Sequence, residues 1–118
     1  MIFGYGINRL LDLQGTNFQV YDMDVKDDKI TYTIKHKETA EYICKHCDHY
    51  HDSYHDKELI RIFDLPLGNR KVVWEIERMR ILCHCQMGYR AEKIPFKSQK
   101  HFLTQRYVDY IVTGAKLI

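Results

Sequence analysis

The four cysteines of this 118-residue chain fall in two close pairs, Cys44-Lys45-His46-Cys47 and Cys83-His84-Cys85. No other feature restricts the fold as strongly. A C-x2-C turn curls two thiolates toward one point, and a C-x-C pair on an extended segment directs both side chains to one face. If the pairs meet at one ion, the stretch from 48 to 82 must leave that point and come back to it. Zinc takes four soft or borderline ligands in a tetrahedron, and a structural site fills all four positions. The spacing therefore predicts Zn bound by Cys44, Cys47, Cys83 and Cys85. His46, His49, His51, His55 and His84 are near enough in sequence to replace one of them. The competing readings are four buried free thiols, or a redox dithiol. The latter lacks the βαβ context that a catalytic C-x2-C requires.

A chain of this length makes one domain. It buries only about two-thirds of its unfolded surface, so a metal staple adds needed stability. Apolar residues make up 45% of the chain, in keeping with a folded core. No apolar run approaches the roughly 20 residues that span a bilayer, and no signal peptide is expected because MIFGYGINRL lacks a basic segment followed by a long apolar one. The expectation is a cytoplasmic protein without a membrane partner. In that compartment cysteines bind metal more often than they form disulfides.

Periodicity supplies the elements. Ile7, Leu10 and Leu11 have helical spacing, and Gly15 suits a stop, so a helix is expected over about 6–13. Phe18, Val20 and the offset pair Tyr21 and Met23 predict a strand. Asp27-Asp28-Lys29 is a turn, and Ile30, Tyr32 and Ile34 alternate with polar residues in a return strand. Residues 44–56 read as a loop. Leu59 to Phe63 form one arm of a second hairpin, Leu65-Pro66-Leu67-Gly68-Asn69 turns it, and Val72, Trp74 and Ile76 lie on the other arm. Tyr89 to Ile94 predict a short strand ended by Pro95, and Gly88 suits a tight turn after the second cysteine pair. Leu103, Tyr107, Tyr110 and Ile111 share a helical face near 99–113, with Gly114 as a stop. The fold expected is α+β: a small antiparallel sheet of two hairpins, a zinc site joining two cysteine knuckles, and a short helix at each end. Residues 1–98 form the zinc-binding unit and 99–118 the C-terminal helix.

At this point the sequence resembles a known family. The order is a hairpin, a C-x2-C knuckle, a basic-apolar strand into Asp64-Leu65-Pro66-Leu67-Gly68, then Arg78-Met79-Arg80-Ile81-Leu82-Cys83. This is similar to the N-terminal zinc-binding domain of the ISL-three-type insertion-sequence transposases of bacteria. Leu10-Leu11-Asp12-Leu13-Gln14-Gly15 also resembles that family's leucine-rich start. The likeness covers roughly 8–96. Lys45 stands where the family has proline, and Cys83-His84-Cys85 is tighter than its second pair. The resemblance implies a zinc-binding module that recognises the terminal inverted repeats of an element in double-stranded DNA. It also implies that 99–118 begins a helix-turn-helix. No stretch corresponds to the family's catalytic domain, so no enzymatic activity is expected.

The charge distribution agrees with a polyanion partner. Residues 1–56 hold six Lys/Arg against ten Asp/Glu, and residues 57–118 hold twelve against six. Arg61, Arg70, Lys71, Arg78, Arg80, Arg90 and Lys93 are the expected DNA contacts, with Lys97, Lys100 and Arg106 beyond them. Such side chains neutralise phosphates and release counterions. The plain alternative is a solvated charged face, with Glu75 and Glu77 paired across to nearby bases. Trp74, Tyr32 and Phe63 could stack on bases, but their alternation favours the core. Asp22, Asp24, Asp27 and Asp28 lack a calcium-loop pattern and read as turn residues. The competing function is a protein-interaction or oligomerisation module, pairing with itself or with a full-length transposase. RNA binding is a third reading, without a recognisable stacking motif.

Overall fold

The computed structural model describes Leu11 and residues 13–38, 41–83, 85 and 88–117. The described residues are α+β, mostly strand, with a small sheet, one helix and a cysteine cluster. β1 (Phe18–Val25) pairs antiparallel with β2 (Lys29–His36) across the Asp27-Asp28 turn. The register shifts between Val20 and Asp22, which leaves Tyr21 as the extra residue of a bulge. That insertion changes the side-chain phase by one residue. Phe18 and Val20 face the core before it, and after it Met23 and Val25 lie opposite the buried Tyr32 and Ile30. The offset visible in the sequence is thus a bulge.

β5 (Asp56–Leu67) and β6 (Arg70–Cys83) pair antiparallel on either side of Gly68-Asn69, where Gly68 has φ 61°. Only glycine takes that φ without a Cβ penalty. The strand order is β1-β2-β6-β5, with β7 (Gly88–Ala91) on the edge of β6 that β2 leaves uncovered. Here the expectation of an antiparallel sheet is corrected, because β2 and β6 run parallel. Their register sets Ile30, Tyr32 and Ile34 beside Val72, Trp74 and Ile76. Six apolar side chains are thereby buried on one face, and that burial outweighs the slightly weaker parallel ladder. The same alignment places the two turns side by side: Lys71 N–H donates to the Asp28 carbonyl at 2.9 Å, and Arg70 Nε–H donates to that of Asp27 at 3.3 Å.

The main core joins this face to Leu11, Leu13, Ile94 and Phe96. Phe96 stands edge-on to both Phe18 and Trp74, with ring centroids 5.4 and 5.2 Å away. Along β6 the buried positions are Val72, Trp74 and Ile76, then Met79, Ile81 and Cys83. Side chains alternate along a strand, so the change of parity means that one strand serves two cores. Ile81 and Cys83 pack with Cys44 in the second. Most of the predicted 6–13 helix lies outside the described residues. Leu11 and Leu13 are both buried.

Within the loop expected over 44–56, β4 (Tyr50–His51) pairs with β3 (Tyr42–Ile43) just before it, and the loop's last residue opens β5. The C-terminal helix, α1 (Gln105–Leu117), starts later than 99 and runs through Gly114. Its start is set by Thr104, whose Oγ1 accepts the Tyr107 N–H at 3.3 Å, an N-cap. The preceding residues are held against β5 instead: Phe63 N–H donates to the Phe102 carbonyl at 3.0 Å, and Thr104 N–H to that of Phe63 at 2.9 Å. No helix among the described residues is long and apolar enough to cross a membrane.

Candidate metal centre

Cys44 follows β3 directly, and its N–H donates to the His49 carbonyl at 2.9 Å. The Asp48 N–H returns to the Cys44 carbonyl at 3.0 Å, with Asp48 at φ 60°. This closes a tight knuckle in which the His46 N–H lies 3.4 Å from Cys44 Sγ. Cys83 ends β6, held there by its pairing with Gly88. The two pairs interleave: Cys44 Sγ is 3.7 Å from Cys85 Sγ, and Cys47 Sγ is 3.4 Å from Cys83 Sγ.

All four sulfurs lie within 4.8 Å of one another. Metal–sulfur bonds of about 2.3 Å in a tetrahedron put sulfurs about 3.8 Å apart, so the donors fit one ion. They do not fit disulfides, which need about 2.05 Å, and all four cysteines are free. Among the described residues the ligand group contains no histidine, and His84 lies outside them.

The electrostatics favour a cation. Burial pushes the Cys44 thiol up, but N–H donors from His46 and Cys47 and the neighbouring thiols outweigh it and bring it down to about 7. Burial and the other three sulfurs push Cys85 up to about 12. Cys47 is lowered by the His49 N–H, yet burial and the Cys83 and Cys44 thiols leave it raised overall. Unaided, the cluster thus holds one thiolate easily and resists the next, as like charges do. A bound divalent ion removes that conflict and keeps all four thiolates deprotonated.

A buried carboxylate braces the centre, and no pattern in the sequence marks it. Glu92 is 2% exposed and forms a bridge with Cys44. Its Oε1 and Oε2 lie 2.9 and 2.7 Å from His36 Nε2, and Oε2 accepts the Met79 N–H at 2.7 Å. The next residue, Lys93, donates its N–H to the Ile43 carbonyl at 2.7 Å. The Glu92 side chain ties β2 to β6, and the backbone of Glu92 and Lys93 joins them to the knuckle.

The expected DNA contacts do not form one patch. Arg78 and Arg80 share a face of β6, but Arg61 lies opposite Glu75 on the other face of the hairpin. Several have carboxylate partners. Arg61 Nε is 3.1 Å from Glu75, Arg78 Nη2 is 2.7 Å from Glu58, and Arg80 pairs with Asp56. Lys93 Nζ is 3.2 Å from Asp48. Arg70 and Lys71 lie at the hairpin tip against the Asp27-Asp28 turn, and Arg90 is half-buried on β7. Trp74 and Tyr32 belong to the core, while Phe63 is 41% exposed.

A groove of about 740 Å3 lies between the knuckle and α1. Arg78 and Lys93 line it together with Lys45, Lys97 and Lys100. The sequence places Lys97 and Lys100 beyond the expected contacts, and nothing in it gives Lys45 such a role. Residues spread over 45–100 converge here only because the knuckle and the segment before α1 fold onto the same side of β6.

No protein-family model, curated protein or solved structure matches the chain.

Proposed function

We propose that this chain is a non-catalytic zinc-binding module that recognises double-stranded DNA, in the manner of the transposase N-terminal domains its sequence resembles. The observation that carries the reading is the convergence of Cys44, Cys47, Cys83 and Cys85 to within 4.8 Å. Their sulfur donors suit zinc, which prefers thiolate tetrahedra and needs no open position in a structural role. The ion would fix both ends of the β5–β6 hairpin relative to the knuckle. That hairpin and the residues after it carry the excess of Lys and Arg. Phosphate contacts would set orientation, and base edges would supply sequence choice. The test is zinc content followed by gel shift with terminal inverted-repeat and scrambled duplexes. Preference for the repeat supports the reading; binding to neither duplex refutes it.

A second reading, a self-association module or a dock for a full-length transposase, is favoured by one observation. Tyr110, Ile111 and Val112 on α1 are 62%, 48% and 48% exposed. Sedimentation of the purified chain separates the two: an interaction module dimerises without DNA.

A further inference from the structure

We propose that the groove between the cysteine knuckle and α1, rimmed by Lys45, Arg78, Lys93, Lys97 and Lys100, seats the phosphodiester backbone of duplex DNA. This rests on the DNA-binding reading and gives it a location. The groove encloses about 740 Å3, and its cations come from four separate parts of the chain. Lys45 lies between the two cysteines of the knuckle, and Arg78 on β6. Lys93 follows β7, and Lys97 and Lys100 precede α1.

Charge balance singles this place out. Along the body of the hairpin Arg61 faces Glu75 and Arg80 faces Asp56, while Arg70 at the tip bonds the Asp27 carbonyl beside the acidic Asp27-Asp28 turn. In the groove, Lys45, Lys97 and Lys100 have no carboxylate partner among the described residues. Lys97 Nζ donates to the Ser98 carbonyl at 2.9 Å and lies over the Phe102 ring, neither of which is an anion. Burial first, and then Lys45 and Arg78, hold its ammonium below its ordinary range. Cations pressed together in this way are relieved by an incoming anion.

Among the described lining residues the one carboxylate, Glu92, is engaged with His36 and the Met79 N–H. Lys93 has the exposed carboxylate of Asp48, at 68% side-chain exposure, whereas Arg78, itself 17% exposed, holds Glu58 through both Nε and Nη2. An exposed pair such as Lys93 with Asp48 is worth little, so a phosphate displaces Asp48 at small cost. Cations spread along an open groove match a row of phosphates better than one small anion, which needs convergent donors in a closed cradle.

The experiment uses the full metal-loaded chain and a fluorescein-labelled duplex of mixed sequence of about 20 base pairs, read by anisotropy across a salt series. Lys97→Ala with Lys100→Ala is the groove variant, and Lys45→Glu is a second with a different fold risk. Lys29→Ala with Lys57→Ala, outside the groove, is the control. Metal content and circular dichroism establish that each variant is folded. The groove variants are expected to lose on the order of tenfold in affinity at moderate salt. The double variant should also lower the salt slope by roughly two, at about 0.9 per phosphate contact. The control should match the wild type. If the groove variants bind as the wild type does, the groove is not the site, although duplex binding itself stands. If the wild-type chain binds no duplex even at low salt, the DNA-binding reading and this assignment both fall.

Discussion

Asp64 receives Arg106 from the C-terminal helix: its Oδ1 accepts the Nε–H at 2.9 Å, while its Oδ2 faces Nη2 of the same guanidinium. The carboxylate is 3% exposed, and Oδ1 also takes the Thr104 hydroxyl at 2.7 Å. Arg106 in turn lies over the Trp74 ring, 5.7 Å from its centroid. One acid in the Asp64-Leu65-Pro66 segment therefore fixes where α1 begins and which core ring it covers. Asp64→Asn keeps the shape but removes the charge that Arg106 faces. Losing one partner of a fully buried pair costs about 3–5 kcal/mol. Arg106 keeps 31% side-chain exposure, so about 2 kcal/mol is expected here. Urea denaturation measures it, and an unchanged midpoint would show that α1 is held by other contacts.

The sulfur cluster makes a prediction about pH. In metal-free protein, Cys44 is held near 7, below the ordinary thiol range. Its ionisation stabilises the fold above that range, and the contribution is lost as pH falls through about 7. Cys85, raised to about 12, acts in the opposite sense: its contribution is present at lower pH and is lost as pH climbs toward 12. Thiolate absorbance of the metal-free chain should thus begin to rise near neutrality as Cys44 ionises, with Cys85 ionising only toward pH 12. The metal-loaded chain should show all four thiolates already at neutral pH, and should release its ion on acidification as protons compete.

Trp74, at 1% exposure, is a core residue whose Nε1 has no hydrogen-bond partner among the described residues. Trp74→Ala should cost about 3–5 kcal/mol, in the range for large-to-small core changes. Trp74→Phe should cost clearly less, because no indole hydrogen bond is lost. Thermal melts of the two variants check the order.

Gly114 lies inside α1 rather than at its end, and a Cβ there would meet nothing within 4 Å. Gly114→Ala should stabilise the helix by up to about 1 kcal/mol. Increased helical ellipticity and a higher melting temperature are the expected readouts.

The sequence made the cysteine set legible because ligand chemistry leaves few residue types and spacings. Alternation made β2 and the middle of β6 legible, since Ile30, Tyr32, Ile34, Val72, Trp74 and Ile76 repeat at period two on one buried face. The parallel contact between those strands was not, because pairing partners depend on which apolar stripes meet in space, and each stripe alone is silent on that. The β1 bulge showed only as an unexplained offset at Tyr21. Glu92 was invisible for a different reason. A buried acid looks like any surface acid until its partners, His36 and the Met79 N–H, are brought to it. The basic groove was hidden for the same reason, since Lys45 and Lys100 are distant in the chain. Arg61 and Arg78, both parts of one basic hairpin, lie on opposite faces because their positions differ in parity across the β5–β6 register.

Metal content by elemental analysis on the native chain, repeated with each cysteine replaced in turn by serine, bears most directly on all of this. One zinc per chain is expected, with its loss from each of Cys44→Ser, Cys47→Ser, Cys83→Ser and Cys85→Ser and unfolding when chelator is added. A chain that is purified without metal, stays folded and ignores chelator would contradict it.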